Sequence, residues 1–217
     1  MNSPDWETLA TRPRELVLVA GPNGSGKTTI TESYVESRFP IWPKLNADRL
    51  LLGLERAGRL QAEPTPAIQA ARMVDTTAEG LAVLQEPFVL ETVLSSPKYK
   101  GLIDTARSMG LIFRLVYVTT VSPDLNVERV RQRVLSGGHD VPEDRIRSRW
   151  DRSMINLTWF AQRADRALVL DNSGVELEIL ALRHLGGLLE LRQPQHPAAE
   201  FLEMLTGKPA LDPIELF

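Results

Sequence analysis

The chain has no cysteine among its 217 residues. Disulfide bonds, thiolate catalysis and cysteine-ligated zinc are therefore excluded. It also lacks an apolar run near the roughly 18 residues that a membrane-spanning helix needs, and its first residues lack the basic and apolar regions of a signal peptide. From these absences we predict a cytoplasmic protein with no membrane partner.

An excess of positive charge is absent as well. The formal net charge is −3, whereas a general nucleic-acid binder is usually basic, so no nucleic-acid partner is expected. The basic residues are nevertheless unevenly distributed, because 20 of the 25 are arginine and nine of these lie between Arg129 and Arg166. Arginine forms bidentate contacts with phosphate, so this concentration is typical of a lid over a phosphate site. For any single arginine, a solvated helix face is the alternative.

The most informative segment is a glycine-rich turn between an apolar run and a predicted helix. Residues 21–29 read Gly-Pro-Asn-Gly-Ser-Gly-Lys-Thr-Thr and match the phosphate-binding loop pattern G-x-x-x-x-G-K-[ST]. Glycines let the backbone curl so that several N–H groups point at one phosphate chain, and the following helix adds its positive N-terminal end. We expect Lys27 to contact the β- and γ-phosphates of a nucleotide and Thr28 to hold Mg²⁺. The residues expected to bind the nucleotide are Gly21, Pro22, Asn23, Gly24, Ser25, Gly26, Lys27, Thr28 and Thr29.

Strand and helix signals alternate along most of the chain. This alternation predicts a single α/β domain over residues 1–217, built on a parallel sheet of about five strands with helices on both faces. Apolar runs predict strands at about 15–20, 88–90, 111–118 and 167–170, and a short strand is predicted at 44–46. The predicted parts are an N-terminal arm (1–14), a core (15–173) with a lid at about 123–164, and a C-terminal β-hairpin, helix and tail (174–217).

Two acidic residues follow predicted strands, where the carboxyl ends of a parallel sheet form a ligand crevice. Asp48 lies 21 residues beyond Lys27. It is a candidate general base for a hydroxyl that attacks a phosphate, or else the N-cap of a helix over 49–58. Glu91 ends the third strand and either assists Mg²⁺ or the attacking group, or is simply exposed there. Thr92 either contacts substrate or closes a turn.

The predicted lid contains two helices with arginines at helical spacing. Arg129 and Arg133 are four residues apart and share a face of the first helix, and Arg149 lies on the arginine face of the second. Such arginines can neutralise charge that develops on a transferred phosphoryl group. Between the helices, the run Leu-Ser-Gly-Gly-His resembles the signature of transporter-type ATPases, but the next strand ends Asp-Asn without a hydrolytic glutamate. A regulatory or transporter-type ATPase without a phosphoryl acceptor is therefore the alternative function.

Several of these segments together resemble one family, the zeta-toxin-like kinases of the P-loop superfamily. The phosphate loop is specific only to the superfamily, whereas the run Gly-Gly-His-Asp-Val-Pro is specific to this branch. The matching segments are residues 21–29, Asn46-Ala47-Asp48, Glu91-Thr92, Arg129 through Pro142, Arg149, Arg152-Ser153, Asn156-Leu157 and Asp171-Asn172-Ser173.

The resemblance implies a P-loop nucleoside-triphosphate hydrolase fold of nucleotide-kinase type, with ATP and Mg²⁺ as cofactors and transfer of the γ-phosphate to a hydroxyl of a small molecule. In better-known zeta toxins this acceptor is a UDP-N-acetyl amino sugar, and a separate antitoxin protein is the implied partner. The implied catalytic residues are Lys27, Asp48, Arg129 and Arg133. The implied substrate contacts are Asn46, Glu91, Thr92 and Arg149, and the implied metal ligands are Thr28 and Glu91.

Overall fold

Alternate residues of the first strand, β1 (Glu15–Ala20), enter two different hydrophobic cores. In the computed structural model, which describes residues 14–59, 64–138 and 140–212, Leu16 and Leu18 pack into the larger core, and Val17 and Val19 pack into the smaller one. A central strand of a parallel sheet is buried on both sides, which explains its uninterrupted apolar run. The sheet is therefore the middle layer between two layers of helices.

The first helix, α1, starts directly after the glycine-rich turn. It is α-helical over Lys27–Ile30, π-helical over Thr31–Val35 and α-helical again over Glu36–Arg38. The remaining elements, in chain order, are β2 (Lys44–Leu45), α2 (Ala47–Arg56), α3 (Pro66–Val83), β3 (Phe88–Thr92), α4 (Lys100–Ser108), β4 (Ile112–Thr119), α5 (Pro123–Leu135), α6 (Glu143–Arg163), β5 (Arg166–Asp171), β6 (Glu178–Arg183), β7 (Glu190–Leu191) and two short 3₁₀ segments (Pro197–Phe201 and Glu203–Leu205).

The sheet has seven strands in the order β2-β3-β1-β4-β5-β6-β7, so the expectation of about five strands was wrong. The five predicted strands are parallel, and the two strands of the predicted C-terminal hairpin continue the same sheet in antiparallel orientation. Pairing with β6 supplies hydrogen-bond partners to β5, which would otherwise be an open edge. It also buries Leu180 and Ala181 in the larger core.

Small residues line the buried face of α3. Its buried stripe consists of Ala70, Val74, Ala78 and Ala82, whereas Ile68 is 45% exposed. Small alanines bring the helix close to its neighbours, and the larger residues lie at the margins. In place of the helix predicted within 174–217, the chain forms the two short 3₁₀ segments. Residues 1–13 of the predicted arm lie outside the described part of the chain.

The carboxyl ends of four parallel strands meet at one edge of the sheet. Ala20 pairs in register with Thr92 on one side and with Tyr117 on the other, and Thr119 pairs with Asp171. The segments that follow these strands are therefore neighbours, and this edge is where open α/β sheets bind ligands. Within the described residues, no helix has the length and apolar character needed to cross a bilayer.

Candidate active site

The glycine-rich turn has a backbone that only glycine adopts without strain. Gly21, Gly24 and Gly26 have φ angles of +142°, +79° and +96°. The surrounding atoms also leave no room for a side chain: a Cβ would lie 2.0 Å from the Val118 carbonyl oxygen at position 21, and 2.6 Å from the Asn126 carbonyl oxygen at position 24. The three glycines are therefore required by conformation and by space together.

Three carbonyl groups of the turn accept hydrogen bonds from side chains. Lys27 Nζ donates to the Pro22 oxygen at 2.8 Å, Asn126 Nδ2 to the Asn23 oxygen at 2.5 Å, and Asn172 Nδ2 to the Ser25 oxygen at 2.8 Å. Inside the turn, the Ser25 hydroxyl is buried and has no hydrogen-bond partner among the described residues. The result is a rigid cradle with free donors, which fits a chain of phosphate groups.

Lys27 lies at the centre of the charged groups of this edge. Burial is the main reason that its pKa falls from 10.5 to about 8, and Arg133 and Arg149 lower it further, while Glu91 and Asp48 raise it. These side chains come from α1, α2, β3, α5 and α6. The structure thus brings together five charged residues that the sequence marked as candidates.

Glu91 at the end of β3 faces two hydroxyl groups of α1. Thr28 Oγ1 donates to Glu91 Oε1 at 3.4 Å, and Thr31 Oγ1 donates to Glu91 Oε2 at 3.2 Å. A threonine hydroxyl and a carboxylate are hard oxygen ligands of the kind that Mg²⁺ prefers. The described residues contain no cluster of three or more Asp, Glu, His or Cys suited to a metal ion. A magnesium ion here would thus complete its shell with phosphate oxygens and water.

The start of α2 separates the two interpretations of Asp48. Asn46 is the N-cap, because its Oδ1 accepts from the backbone N–H of Asp48 at 2.9 Å and of Arg49 at 3.1 Å. Asp48 lies in the first turn of the helix and is exposed. Within the described chain, its carboxylate has no hydrogen bond or ion pair, although it acts electrostatically on Lys27. The cap interpretation of Asp48 was therefore wrong.

The arginines of the two lid helices differ in what they face. Arg149 Nη1 donates to Asn23 Oδ1 of the turn at 3.3 Å, and the charge of Arg133 acts on Lys27. Arg129 instead donates from Nη2 to the Ser173 carbonyl oxygen at 3.4 Å, beyond the end of β5. Arg133 and Arg149 are thus the lid arginines beside the phosphate cradle.

The turn after β3 and the link between the lid helices were also candidates. Thr92 Oγ1 accepts from the backbone N–H of Leu94 at 3.2 Å, and the buried Leu94 has a φ of +60°. The side chain of Thr92 therefore closes a turn, as one of its two interpretations predicted. Gly138 donates to the Arg133 carbonyl at 2.9 Å and ends α5. His139 lies outside the described residues.

Sequence reasoning missed Thr31, Thr120 and Asn126. Asn126 is fully buried, and its Oδ1 accepts a hydrogen bond from the Thr120 hydroxyl. A buried asparagine in the first turns of a helix needs partners, but no local pattern states which ones. The partners of Asn126 are 103 and 6 residues away in the chain.

Comparisons with known proteins match most of the chain to one family. A family model described as an AAA domain matches residues 16–174. An uncharacterized protein of Haemophilus influenzae is 28% identical over 138 residues, which are 62% of this chain and 91% of that protein.

Solved structures show the same fold at low identity. The complex of AvrRxo1-ORF1 and AvrRxo1-ORF2 with ATP has a chain that is 16% identical, with a TM-score of 0.69, over 96% of this chain and 68% of that one. A chain of the PezAT chromosomal toxin–antitoxin system of Streptococcus pneumoniae is 15% identical, with a TM-score of 0.58, over 90% and 80% of the two chains. At these identities, the likeness establishes a P-loop kinase-like fold.

Proposed function

This chain belongs to the AAA domain family, and we propose that it is a kinase that transfers the γ-phosphate of ATP to a hydroxyl group of a small molecule. The observation that carries the proposal is the relation between Asp48 and Lys27. The Asp48 carboxylate is exposed in the first turn of α2, has no partner in the described chain, and lies near enough to Lys27 to raise the pKa of that lysine. A transporter-type ATPase would have its hydrolytic glutamate after the strand that here ends Asp171-Asn172, whereas a kinase needs a base beside the acceptor hydroxyl.

The phosphate loop and the lid supply the positive charge in this proposal. Backbone N–H groups of residues 23–28 bind the phosphate chain, and Lys27 leaves the Pro22 carbonyl to contact the β- and γ-phosphates. Arg133 and Arg149 approach the γ-phosphate from the lid side and stabilise charge on its equatorial oxygens. Arg129 supports the lid through Ser173 and does not contact the nucleotide.

Proton transfer is assigned to Asp48. As the acceptor oxygen bonds to the γ-phosphorus, the Asp48 carboxylate takes the hydroxyl proton, and the bond from phosphorus to the β–γ bridging oxygen breaks to release ADP. Thr28 and Glu91 would hold Mg²⁺, which neutralises phosphate charge when it is bound. Asn46 supports the base by capping α2, so its proposed contribution is to position Asp48.

The acceptor follows from the resemblance to the zeta-toxin-like kinases. A UDP-N-acetyl amino sugar is the first acceptor to test, and a separate antitoxin is the proposed protein partner. Two structures with this fold support the partner, since they are described as an ORF1:ORF2 complex and as a toxin–antitoxin system. Growth arrest on expression, relieved by a protein encoded beside this chain, is the expected sign of such a pair.

The decisive experiment is a mass-spectrometric screen. Purified protein with Mg-ATP is incubated with a metabolite extract and with UDP-N-acetyl amino sugars, and products that gain one phosphate are identified. Asp48→Asn should lower transfer by about 10²- to 10⁴-fold, with ATP affinity unchanged. Glu55→Gln, an exposed acid on the same helix, is the matched control and should retain full activity.

Two outcomes would count against the proposal. ATP hydrolysis without any phosphorylated product would favour the regulatory or transporter-type ATPase. Transfer that is as fast in Asp48→Asn as in the unmodified protein would remove the base assignment while leaving kinase activity in place.

A further inference from the structure

The phosphate loop is held from outside by two asparagine side chains that the proposed mechanism does not use. Asn126 comes from the first turns of α5, and Asn172 directly follows β5. Their amide groups donate to alternate carbonyl oxygens of the loop, at 2.5 Å to Asn23 and at 2.8 Å to Ser25. The side chain of each asparagine thus binds a main-chain carbonyl of the loop and no side chain of the loop.

These contacts determine where the loop N–H groups point. A trans peptide is planar, so its N–H points opposite to its C=O. Fixing the Asn23 carbonyl therefore orients the N–H of Gly24, and fixing the Ser25 carbonyl orients the N–H of Gly26. In the described chain, neither of these two N–H groups has an acceptor. They are directed away from the asparagines and toward the interior of the loop.

Both asparagines are themselves held in place. The Thr120 hydroxyl donates to Asn126 Oδ1, and the backbone N–H of Asn172 donates to the Thr119 carbonyl at 2.9 Å. Thr119 ends β4 and Thr120 follows it directly. Because β4 is the central strand of the sheet, both asparagines are held at the carboxyl end of that strand. A hydrogen bond from such a donor limits the rotation of the loop peptides.

The loop glycines match the asparagines sterically. A Cβ on Gly26 would lie 2.3 Å from Asn172 Nδ2, and a Cβ on Gly24 would lie 2.6 Å from the Asn126 carbonyl oxygen. Gly26 therefore leaves room for the side chain of Asn172, and Gly24 leaves room for the main chain at Asn126. The absence of a side chain at these glycines lets the loop lie close to the segments that carry Asn126 and Asn172. A turn without such neighbours would not need that space.

We infer that Asn126 and Asn172 are positioning residues that preorganise the N–H groups of Gly24 and Gly26 for the phosphate chain of the nucleotide. This inference rests on nucleotide binding by the loop, which the proposed function includes, but not on any phosphoryl transfer. Donors that are already oriented bind an anion without a further ordering cost. Loss of either donor lets the peptide rotate and turns a carbonyl oxygen toward the phosphates.

The experiment measures binding of ATP and of inorganic tripolyphosphate by calorimetry, without any acceptor. Asn172→Leu, which keeps the approximate size but has no donor, should weaken both ligands by about tenfold, the equivalent of one hydrogen bond. Asn172→Asp should weaken them at least as much. Thr158→Val is the matched control, because it removes a 2.8 Å bond to the Phe201 carbonyl away from the loop, and its affinities should be unchanged.

Folding is followed separately, since Asn126 is fully buried and Asn126→Leu can fail to fold. Asn172 is partly exposed, so its variants carry the test even then. Affinity for both ligands equal to that of the unmodified protein in the folded Asn172 variants would overturn the inference. Weaker ATP binding with unchanged tripolyphosphate binding would also overturn it, because the donors would then act on the nucleoside. Absence of ATP binding in the unmodified protein would instead contradict the proposed function.

Discussion

Thr31 donates a hydrogen bond of 3.2 Å from its hydroxyl to Oε2 of Glu91, the oxygen that Thr28 leaves unused. Thr31 is buried and begins the π-helical turn of α1. Such turns inside α-helices are frequent at functional sites. The bond fixes the plane of the carboxylate, so that Oε1 stays beside the Thr28 hydroxyl where a metal ion is expected.

Replacement of Thr31 by valine should therefore weaken the effect of Mg²⁺ on nucleotide binding. The variant keeps the size of the side chain but no longer holds Glu91 Oε2. We expect the ratio of ATP affinities with and without Mg²⁺ to fall by about three- to tenfold. Thr31→Ser retains the hydroxyl and should restore the ratio. Titrations of ATP in Mg²⁺ and in EDTA test this, and an unaltered ratio in Thr31→Val would show that Thr31 does not orient Glu91.

The lowered pKa of Lys27 predicts that ATP affinity depends on pH. With a pKa of about 8, Lys27 is an ammonium at pH 7 and mostly neutral at pH 9, so the attraction for phosphate is lost as the pH rises. We expect the affinity to fall by about tenfold between pH 7 and pH 9. Lys27→Arg remains charged in this range and should show a flatter profile. Parallel profiles for the two proteins would assign the titration to another group.

The same pKa predicts a cost in stability. Burial lowers the pKa of Lys27 from 10.5 to about 8. Below pH 8 the lysine is protonated in both the folded and the unfolded state. The folded state then bears the full free-energy cost of burying the ammonium group, about 3 kcal/mol at most. Between pH 8 and 10.5 the unfolded state binds more protons, so the cost disappears as the pH rises. Lys27→Met should stabilise the protein by about 1–3 kcal/mol at pH 7, less the lost bond to Pro22.

Urea unfolding at pH 7 and at pH 10 checks the stability prediction. The difference between Lys27→Met and the unmodified protein should shrink at the higher pH. If Lys27→Met is less stable than the unmodified protein at pH 7, the hydrogen bond from Lys27 to the Pro22 carbonyl outweighs the cost of burying the lysine.

Replacements of the lid arginines should have different effects. Arg133 and Arg149 both lower the pKa of Lys27, so Arg149→Ala should move the midpoint of the ATP-affinity profile to higher pH. Phosphoryl transfer to the identified acceptor should also slow by about 10²-fold or more. Arg129→Ala, whose contact is with Ser173, should leave the midpoint unchanged. Equal midpoint shifts in the two variants would contradict the assignment of Arg129 to lid support.

A double-mutant cycle separates the two constraints on Gly26. In Gly26→Ala, the alanine must adopt a φ of +96°, and its Cβ would lie 2.3 Å from Asn172 Nδ2. The substitution should destabilise the protein by about 2–4 kcal/mol and abolish ATP binding. In an Asn172→Gly background the contact is gone, so the same change should cost only the φ strain of about 1 kcal/mol. Additive free energies of unfolding would show that the contact does not contribute.

Much of the fold could be predicted because its signals are local. The apolar run that predicts β1 lies within a few residues, and the strand is confirmed at Glu15–Ala20. The number of strands could not be predicted in this way. The alternating pattern of 175–192 is the same whether the hairpin packs separately or extends β5, and only the pairing of β6 with β5 distinguishes them.

Several residues of the candidate site could also be identified from the sequence, but their roles depend on the tertiary structure. Asn46 and Asp48 are both good capping residues, so their roles depend on the residue at which α2 begins. Arg129 and Arg133 share a face of α5 but are one turn apart, about 6 Å along the axis. Whether one of them faces Lys27 or Ser173 depends on how α5 lies across the end of the sheet.

The amino-acid sequence alone determined the phosphate loop of this protein, because glycine spacing, backbone φ angles and the following helix are properties of a short segment. Only the tertiary structure decided which acidic and basic residues face that loop, and which asparagines hold it. Those residues lie up to 147 positions from their partners, as Asn172 and Ser25 do. Packing of strands and helices determines such distances, and a single sequence contains no local pattern that records them.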